Sequence, residues 1–549
     1  MAGFEEILKA AGEFGRFQKC LVLLLCIPSF LISIHTFSQV FMGIPVPHHC
    51  NTSWIWKIGA NLTKEQQLNL TLPRNRHGSY EECSMYTPVD WDIESIEKYG
   101  LNATEKCQDG WVYDTSEQKS TLITEFDLVC DKKEQEAISQ SIFMLGLLIG
   151  ALIFGPLGDR IGRRPIILLS LLLQLVFGVG AAFAPHFYVY VALRCVVGIG
   201  ISGIMINNLV LVTEWVGVAQ RAHATIISHI FFAIGLMVLA GLAYAIRSWR
   251  LLQLVGSLPV ALVFFYIWII PESARWLLTQ GKNEKAKKLL QKAALINKQT
   301  IPEEMLQQLK EEKKIASGNI LDLFRSQSLR KITLISSYLW FVNSLVYYGL
   351  SLNVGNFGLD IYLTQLVFGA VEILARAGAI LILAKFGRKK CQAACLFLGG
   401  TACLVITMIP KDLPVLITVL AVIGKFSIAS SFSISYVYAA ELFPTVVRQN
   451  GVGLSSVSAR LGGIIAPLIG LLGSYHYAIP MAIFGSTPVI AAALCFLLPE
   501  THNRELQDCT EEAAVIQRSN ETVNGYFKKE NTKQSEGDLA ALQTKSTRL

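Results

Sequence analysis

Blocks of apolar residues alternate with shorter polar segments along the whole of this 549-residue chain. Each block holds about 20 residues, the length that a helix needs to cross the hydrocarbon core of a bilayer. We therefore predict an all-α membrane protein with twelve transmembrane helices. The blocks are residues 20–41, 138–158, 166–184, 188–211, 225–246, 251–270, 332–352, 361–384, 391–409, 414–438, 451–472 and 478–498.

The composition agrees with a membrane protein. The chain is 52% hydrophobic and 16% charged, whereas soluble domains carry about 25% charged residues. The first apolar block follows a polar leader, residues 1–19, and shows no small-residue cleavage site. We interpret that block as a retained helix rather than a signal peptide.

The segment 43–137 indicates which side of the membrane is extracellular. It holds four glycosylation sequons and four cysteines, and both features belong to the oxidising side. We expect two disulfides there, with three pairings open. The loops 159–164 and 385–390 are rich in Arg and Lys, as cytoplasmic loops are. The residues concerned are Asn51, Asn61, Asn69 and Asn102, with Cys50, Cys83, Cys107 and Cys130.

Three short motifs occur twice, 225 to 228 residues apart, and indicate a duplicated six-helix unit. Such parallel halves place a substrate near the midplane between them. The motif pairs are Gly162-Arg163-Arg164 with Gly387-Arg388-Lys389, Glu214 and Arg221 with Glu441 and Arg448, and Pro271-Glu272 with Pro499-Glu500. The predicted parts are a cytoplasmic N-terminus 1–19, an N-terminal half 20–271, a cytoplasmic loop 272–331, a C-terminal half 332–499 and a disordered cytoplasmic tail 500–549.

The repeated motifs place acidic and basic groups at cytoplasmic helix ends. We predict ion pairs that hold the cytoplasmic side closed and break when the halves rock. The alternative is that the basic loops only fix the orientation in the membrane. The predicted gating residues are Asp159, Arg160, Arg163, Arg164, Glu214, Arg221, Glu272, Arg275, Arg388, Glu441 and Arg448.

Charged residues inside the apolar blocks are the candidates for substrate chemistry. Each costs ~2.5–3.5 kcal/mol at the bilayer centre, so each needs a partner or a function. Arg460 lies about ten residues into its helix with no carboxylate among its neighbours, which suits a carboxylate ligand. The alternative is a salt bridge to Glu372, which could equally neutralise Arg376 one turn away. With Arg194 and Lys425, the basic residues outnumber Glu372 and favour anions.

Signals for an enzyme are weak, and we predict neither catalytic residues, a cofactor, a metal site nor nucleic-acid binding. Gly198 to Gly203 match a G-x-G-x-x-G pattern without a surrounding strand–helix unit, so we interpret them as a close-packing helix face. The phosphate-binding loop, zinc-protease and nucleophile-elbow motifs are absent from the sequence.

The motif Gly155-Pro156-Leu157-Gly158-Asp159-Arg160-Ile161-Gly162-Arg163-Arg164 resembles the signature loop of the major facilitator superfamily. Pro271-Glu272-Ser273-Ala274-Arg275-Trp276-Leu277 and Glu441-Leu442-Phe443-Pro444-Thr445 resemble solute carrier family 22, the organic ion transporters. The likeness runs from Gly15-Arg16-Phe17-Gln18 to Pro499-Glu500-Thr501. Ala274 departs from the usual proline. The chain is most similar to the member-13 branch, associated with nicotinate and urate exchange.

The resemblance implies an alternating-access exchanger of small organic anions, with cytosolic monocarboxylates or dicarboxylates as counter-substrates. The anion branch carries basic residues at the places of Arg376 and Arg460. The resemblance also implies that aromatic residues line a central cavity. The predicted binding residues are Arg460, Arg376, Tyr347, Tyr348, Phe432, Tyr436, Lys425, Ser456 and His35.

Two other functions stay open at this stage. An organic cation or carnitine-like carrier would use Glu372 as its cation contact, and a transceptor or scaffold would carry no flux. A sugar carrier ranks last because it has no use for two buried arginines. We expect a plasma membrane location, apical in epithelium, and a PDZ-domain partner at Thr547-Arg548-Leu549.

Overall fold

The computed structural model describes residues 4–75, 78–263, 265–307, 320–410, 412–444 and 447–501. Helices follow the apolar blocks, because a backbone in lipid must satisfy its hydrogen bonds within the helix. The spans, counted first to twelfth, are Arg16–Met42, Gln135–Ile161, Arg163–Ala182, Phe187–Trp215, Val218–Ala245, a sixth made of Trp249–Ser257, Pro259–Val263 and Tyr266–Ile269, then Gln327–Leu352, Ile361–Phe386, Arg388–Ile406, Pro414–Leu442, Arg448–Leu471 and Ala478–Cys495.

Ten helices in the described part of the chain are long and apolar enough to cross a membrane. The remaining two of the twelve predicted spans are the sixth, which consists of short pieces, and the seventh, which is less apolar. The seventh span contains Ser336, Asn343, Ser344, Tyr347 and Tyr348. The all-α fold with two six-helix halves is the predicted one. The predicted tail segment Thr547-Arg548-Leu549 lies outside the described residues.

The loop between the first two spans marks what we call the outer end, following the predicted orientation. Strands β1 (His48–Cys50), β2 (Ser84–Tyr86), β3 (Thr104–Lys106) and β4 (Trp111–Tyr113) pair antiparallel as β1 with β4 and β2 with β3. Cys50 bonds to Cys107, and Cys83 bonds to Cys130. Of the three pairings that the sequence leaves open, the structure shows this one. Short helices complete the loop: Ser53–Lys57, Lys64–Thr71, Ile93–Tyr99, Leu122–Phe126 and Cys130–Lys132.

Close helix packing within each half depends on glycine. A Cβ on Gly198 would lie 2.5 Å from the Phe143 carbonyl oxygen, and one on Gly146 would lie 2.3 Å from the Cys195 carbonyl oxygen. The second and fourth spans therefore touch backbone to backbone, as small-residue faces permit. This contact confirms the predicted role of the glycines in the fourth span.

The two halves meet along the second and eleventh spans and along the fifth and eighth. Ser141 Oγ donates a hydrogen bond to the Ile464 carbonyl oxygen at 2.9 Å. A Cβ on Gly369 would lie 2.6 Å from Cγ of Met237. These contacts form the side walls of the space between the halves.

The outer end of that space is closed around Tyr362, near the start of the eighth span. Its hydroxyl oxygen accepts hydrogen bonds from Gln118 Nε2 and Arg247 Nη1, both at 2.8 Å. The ring of Phe41 stacks on that of Tyr362 with centroids 5.4 Å apart, and Tyr244 packs edge-on at 5.6 Å. All four partners belong to the N-terminal half, so one C-terminal tyrosine joins the halves here.

The cytoplasmic segments pack against the N-terminal half. The short helices there are Phe4–Ala10, Ala274–Thr279, Asn283–Ile296 and Glu303–Gln307. The helix Asp322–Arg325 packs instead against the C-terminal half, where Leu323 lies in one cluster with Trp340. Asn297 Nδ2 donates to the Ala11 carbonyl oxygen at 2.7 Å, and its Oδ1 accepts from the Phe17 backbone N–H at 2.8 Å. The central loop thus holds the N-terminus in place through Asn297.

Candidate functional site

A cavity of about 810 Å³, its open mouth included, lies between the two halves. Its walls come from the second, fourth, fifth, seventh, eighth, tenth and eleventh spans. The lining residues are Met144, Leu147, Met205, His229, Phe232, Trp340, Ser344, Tyr347, Tyr348, Arg376, Phe432, Tyr436, Ser456, Ala459, Arg460 and Gly463. Seven of the nine predicted binding residues are in this set.

Arg460 is the cation in the cavity that lacks a carboxylate partner among the described residues. Its Nη1 donates to the Leu147 carbonyl oxygen of the opposite half at 3.2 Å. Its Nε is buried without a hydrogen-bond partner in the described structure. The alternative of a salt bridge to Glu372 is not what the structure shows, because Glu372 pairs with other residues. A half-buried arginine whose buried Nε is an unused donor is suited to an anionic ligand.

Glu372 is fully buried and holds two cations. Its Oε1 accepts from Arg376 Nη2 at 2.5 Å and Nε at 3.1 Å. Its Oε2 lies 3.5 Å from Lys425 Nζ. The Tyr347 hydroxyl donates to the same carboxylate at 2.8 Å. The i,i+4 pairing of Glu372 with Arg376, one of the two options weighed from sequence, is therefore present.

Aromatic rings form a large part of the remaining wall. Trp340 and Tyr436 lie 4.4 Å apart between centroids, Phe432 and Tyr436 5.6 Å, and Tyr347 and Tyr348 5.4 Å. Phe37 of the N-terminal half, which is not itself a lining residue, stacks on Tyr348 with ring centroids 5.9 Å apart. Such rings offer flat apolar faces to a planar ligand.

Two predicted binding residues lie outside the cavity lining. Lys425 is behind Tyr347, where its Nζ donates to Ser351 Oγ at 2.6 Å. His35 is buried in the N-terminal half, and its carbonyl oxygen accepts from Arg194 Nη2 at 3.0 Å. Arg194 is fully buried and lies over the Phe143 ring, 4.5 Å from its centroid. These positions favour structural roles for His35 and Arg194.

Several lining residues were missed from sequence. Trp340 and Ser344 lie two turns and one turn before Tyr348 on the seventh span, and Gly463 follows Arg460 by three residues. Helical spacing could have found all three. His229 and Phe232 come from the N-terminal half, and no sequence spacing relates them to the aromatic residues that they face.

The predicted gating residues gather into two cytoplasmic corners, one in each half. Arg163 pairs with Asp159 at 2.6 Å and with Glu214 at 3.1 Å. Arg388 pairs with Glu441 at 3.0 Å. The Glu272 carboxylate accepts from the Arg163 backbone N–H at 3.0 Å and the Arg164 one at 3.4 Å. These ion pairs lie within one half, so their role in closing the cytoplasmic side stays a prediction.

The other predicted corner residues lie near the same ends. Arg221 pairs with Glu5 at 3.8 Å, and Arg275 lies 5.9 Å from the centroid of the Phe4 ring. Arg448 Nε donates to the Phe443 carbonyl oxygen at 3.2 Å. Arg160 is exposed.

The predicted glycosylation sites occupy the outer loop. Asn61, Asn69 and Asn102 are exposed, and Asn51 is half-buried. The Asn69 Oδ1 accepts from Arg74 at 2.6 Å and from the Tyr80 hydroxyl at 2.8 Å. All four therefore lie on the side that carries the disulfides.

Comparison with known proteins identifies the family. Residues 94–513 match the family model described as sugar (and other) transporter. Solute carrier family 22 member 13 of Homo sapiens is 50% identical over 510 residues, covering 92% of each chain. This chain belongs to solute carrier family 22. Member 14 of Mus musculus is 42% identical over 92% of this chain and 80% of that protein, and member 6-A of Xenopus laevis is 38% identical over 93% of each.

Solved structures show the same fold. The partially occluded inward open xylose transporter XylE from E. coli matches with a TM-score of 0.61 at 16% identity, covering 89% of this chain and 100% of that one. The proton:xylose symporter XylE bound to 6-bromo-6-deoxy-D-glucose matches with a TM-score of 0.57 at 17% identity, covering 90% of this chain and 98% of that one. The family 22 chain is a multi-pass transporter of the major facilitator superfamily, and not an enzyme. Its family supports organic ions as the transported class.

Proposed function

We propose that this family 22 protein is a plasma membrane exchanger of small organic anions such as nicotinate or urate. The observation that carries the proposal is Arg460, a half-buried arginine with a buried Nε that has no carboxylate partner among the described residues and lines an aromatic cavity between the halves. A ligand carboxylate could take up the unused Nε donor, and a flat ring could pack against Tyr348, Phe432 or Tyr436. Cytosolic monocarboxylates or dicarboxylates would be the counter-substrates.

The cation alternative has less support. It requires Glu372 as the contact for a quaternary ammonium group. Glu372 is 0% exposed and is bound by Arg376, Lys425 and Tyr347. An organic cation would have to displace all three, whereas an anion meets Arg460 directly.

The test is replacement of Arg460 by Ala. Anion uptake should fall to background while the protein still reaches the cell surface, because a buried charge-assisted contact is lost. Arg330→Ala is the matched control, since Arg330 is an exposed arginine at the cytoplasmic start of the seventh span. Uptake of labelled nicotinate into proteoliposomes, with surface amount measured in parallel in cells, gives the readout. Unchanged uptake by Arg460→Ala would remove Arg460 from the binding site.

Exchange is tested separately by preloading. Vesicles loaded with a candidate anion should take up labelled nicotinate faster than empty vesicles. Lack of any such stimulation would favour the non-transporting scaffold. We further propose that the protein is glycosylated and that it lies in the apical membrane of epithelium. Enzymatic deglycosylation tests the first point, and surface labelling of polarised cells tests the second.

A further inference from the structure

Arg194, in the outer part of the fourth span, is a buried cation that the proposed transport function does not use. We propose that the N-terminal half binds one small inorganic anion, chloride, between the side chains of Arg194 and Tyr190. The anion balances the charge of Arg194 inside this half. Neither residue lines the central cavity, so the proposal does not depend on which organic ion the protein carries.

The partners of Arg194 within the described structure are all neutral. Its Nη2 donates to the His35 carbonyl oxygen at 3.0 Å, and its guanidinium lies 4.5 Å from the centroid of the Phe143 ring. Its Nε and Nη1 have no hydrogen-bond partner among the described residues. The side chain is 0% exposed. A full positive charge is therefore buried beside one neutral oxygen and one ring, with two nitrogens still able to donate.

The C-terminal half holds its buried cations differently. Arg376 Nη2 lies 2.5 Å and Lys425 Nζ lies 3.5 Å from oxygens of the Glu372 carboxylate. A buried charge without an opposite charge is unfavourable, because the protein interior does not replace its hydration. Water could satisfy the free N–H groups of Arg194, but only an anion also balances its charge.

The acidic residue closest to this place along the second span has another partner. Glu136 lies two turns before Phe143, and its Oε1 accepts from Gln39 Nε2 at 3.3 Å. The Glu136 carboxylate thus does not take the free donors of Arg194.

Tyr190 supplies a further donor. It comes one turn before Arg194 on the fourth span, so both side chains lie on one face of that helix. Its hydroxyl is buried without a hydrogen-bond partner among the described residues. A hydroxyl and a guanidinium can both donate to the same negatively charged acceptor. The Arg194–Tyr190 pair is therefore suited to an anion.

The surroundings limit the size of that anion. Phe143, Tyr190 and Arg194 are each 0% exposed, and the Tyr190 ring packs edge-on against that of Trp249 with centroids 5.5 Å apart. An organic anion would have to push these side chains apart. A single chloride ion needs the least space of the common inorganic anions that carry one charge, and it accepts hydrogen bonds from any direction.

The test measures chloride binding to the purified full-length protein. Replacing gluconate by chloride at constant ionic strength should raise the midpoint of thermal unfolding in a saturable way, because a ligand of the folded state alone stabilises that state. Tyr190→Phe removes one donor to a charged acceptor, so the chloride concentration for half of the effect should rise about tenfold. Tyr188→Phe is the matched control, since Tyr188 is an exposed tyrosine of the same span.

Arg460→Ala separates this site from the central cavity. The variant should keep the chloride effect of the wild type, because Arg460 does not contact Arg194. If chloride instead binds in the cavity, Arg460→Ala abolishes the effect while Tyr190→Phe leaves it unchanged, and the proposed site is wrong. Equal stability of the wild type in chloride and gluconate would overturn the proposal as well, since water alone would then accompany Arg194.

Bromide decides the matter in the wild type if Tyr190→Phe does not fold. Crystals grown in bromide should give an anomalous scattering peak beside Arg194 and Tyr190. Bromide peaks at other places only, or none, would reject the site.

Discussion

The two halves of this transporter are alike at their cytoplasmic corners and different in their interiors. In the N-terminal corner, Glu272 accepts from the Arg163 backbone N–H at 3.0 Å. In the C-terminal corner, Glu500 accepts from the Arg388 backbone N–H at 2.9 Å and the Lys389 one at 3.2 Å. Glu272 thus satisfies backbone N–H groups that have no partner within the helix at the start of the third span, and Glu500 does the same at the start of the ninth.

A glycine makes the same approach possible in both corners. Gly162 and Gly387 have φ values of 116° and 82°, which L side chains rarely adopt. A Cβ on Gly162 would lie 2.4 Å from Glu272 Oε2, and one on Gly387 would lie 2.9 Å from Glu500 Oε2. In each half, the Gly-Arg motif and the Pro-Glu motif therefore contact each other, with the glutamate carboxylate close to the glycine and bonded to the arginine backbone N–H.

The interiors differ in how a buried arginine is held. Arg194 has a backbone carbonyl oxygen and the Phe143 ring as its partners, whereas Arg376 has the Glu372 carboxylate. The buried arginine of the first half is thus held by a neutral oxygen and a ring, and that of the second half by an opposite charge. The comparison teaches that the repeated motifs build the same contacts in both corners, while the interiors of the halves are built from different contacts.

The largest expected effect comes from breaking the corners. Glu272→Ala and Glu500→Ala each remove a carboxylate that accepts helix N–H groups. Each should lower the free energy of unfolding by about 1–3 kcal/mol, the cost of leaving partly buried donors unsatisfied. Thermal unfolding of the purified variants measures this loss.

The likeness of the corners requires the two losses to be similar. Glu304→Ala, at an exposed position of the helix Glu303–Gln307, serves as the control. A large loss for one corner and none for the other would show that the corners are equivalent in geometry only.

A smaller effect is expected at the outer end, where the halves contribute unequally. Tyr362→Phe removes the oxygen that accepts from Gln118 and Arg247. The outward-closed state should lose about 0.5–1.5 kcal/mol, so the apparent affinity for external anion should rise about two- to tenfold. Concentration-dependent uptake from the outer side measures the change.

Tyr188→Phe is the matched control, because Tyr188 is 74% exposed at the outer start of the fourth span. An unchanged apparent affinity in Tyr362→Phe would mean that the aromatic contacts with Phe41 and Tyr244 alone keep the outer end closed.

The smallest effect concerns the charge on Glu272. Burial raises the pKa of Glu272 from 4.5, although backbone N–H groups of Ser273, Arg164 and Arg163 oppose the shift. The folded protein therefore binds this proton more tightly than the unfolded chain, and the free energy of unfolding falls as pH rises through the raised pKa. Glu272→Gln keeps an accepting oxygen and should remove this dependence, a change of less than about 1 kcal/mol.

Thermal unfolding of the wild type and of Glu272→Gln, followed at a series of mildly acidic to neutral pH values, measures how the stability of each depends on pH. A wild-type curve with the same pH slope as the variant would show that Glu272 does not titrate differently in the fold.

The sequence by itself determined the spans, the repeat and the membership of the family. Span length follows from bilayer thickness, and a duplicated unit repeats its motifs at one offset, so both can be predicted without a structure. The pairing of Glu372 with Arg376 was also within reach, because residues four apart lie on one face of a helix. Helical spacing from Tyr348 could likewise have added Trp340 and Ser344.

Only the tertiary structure decided which groups meet across helices. It paired Cys50 with Cys107, placed Lys425 against Glu372 behind Tyr347, and, within the part of the chain that the structure describes, gave Arg460 no carboxylate. It also brought His229 to the wall opposite Tyr436. These contacts depend on how each helix is rotated and how closely glycines let it approach its neighbour. That packing is a property of the whole fold, and no local spacing in the chain contains it.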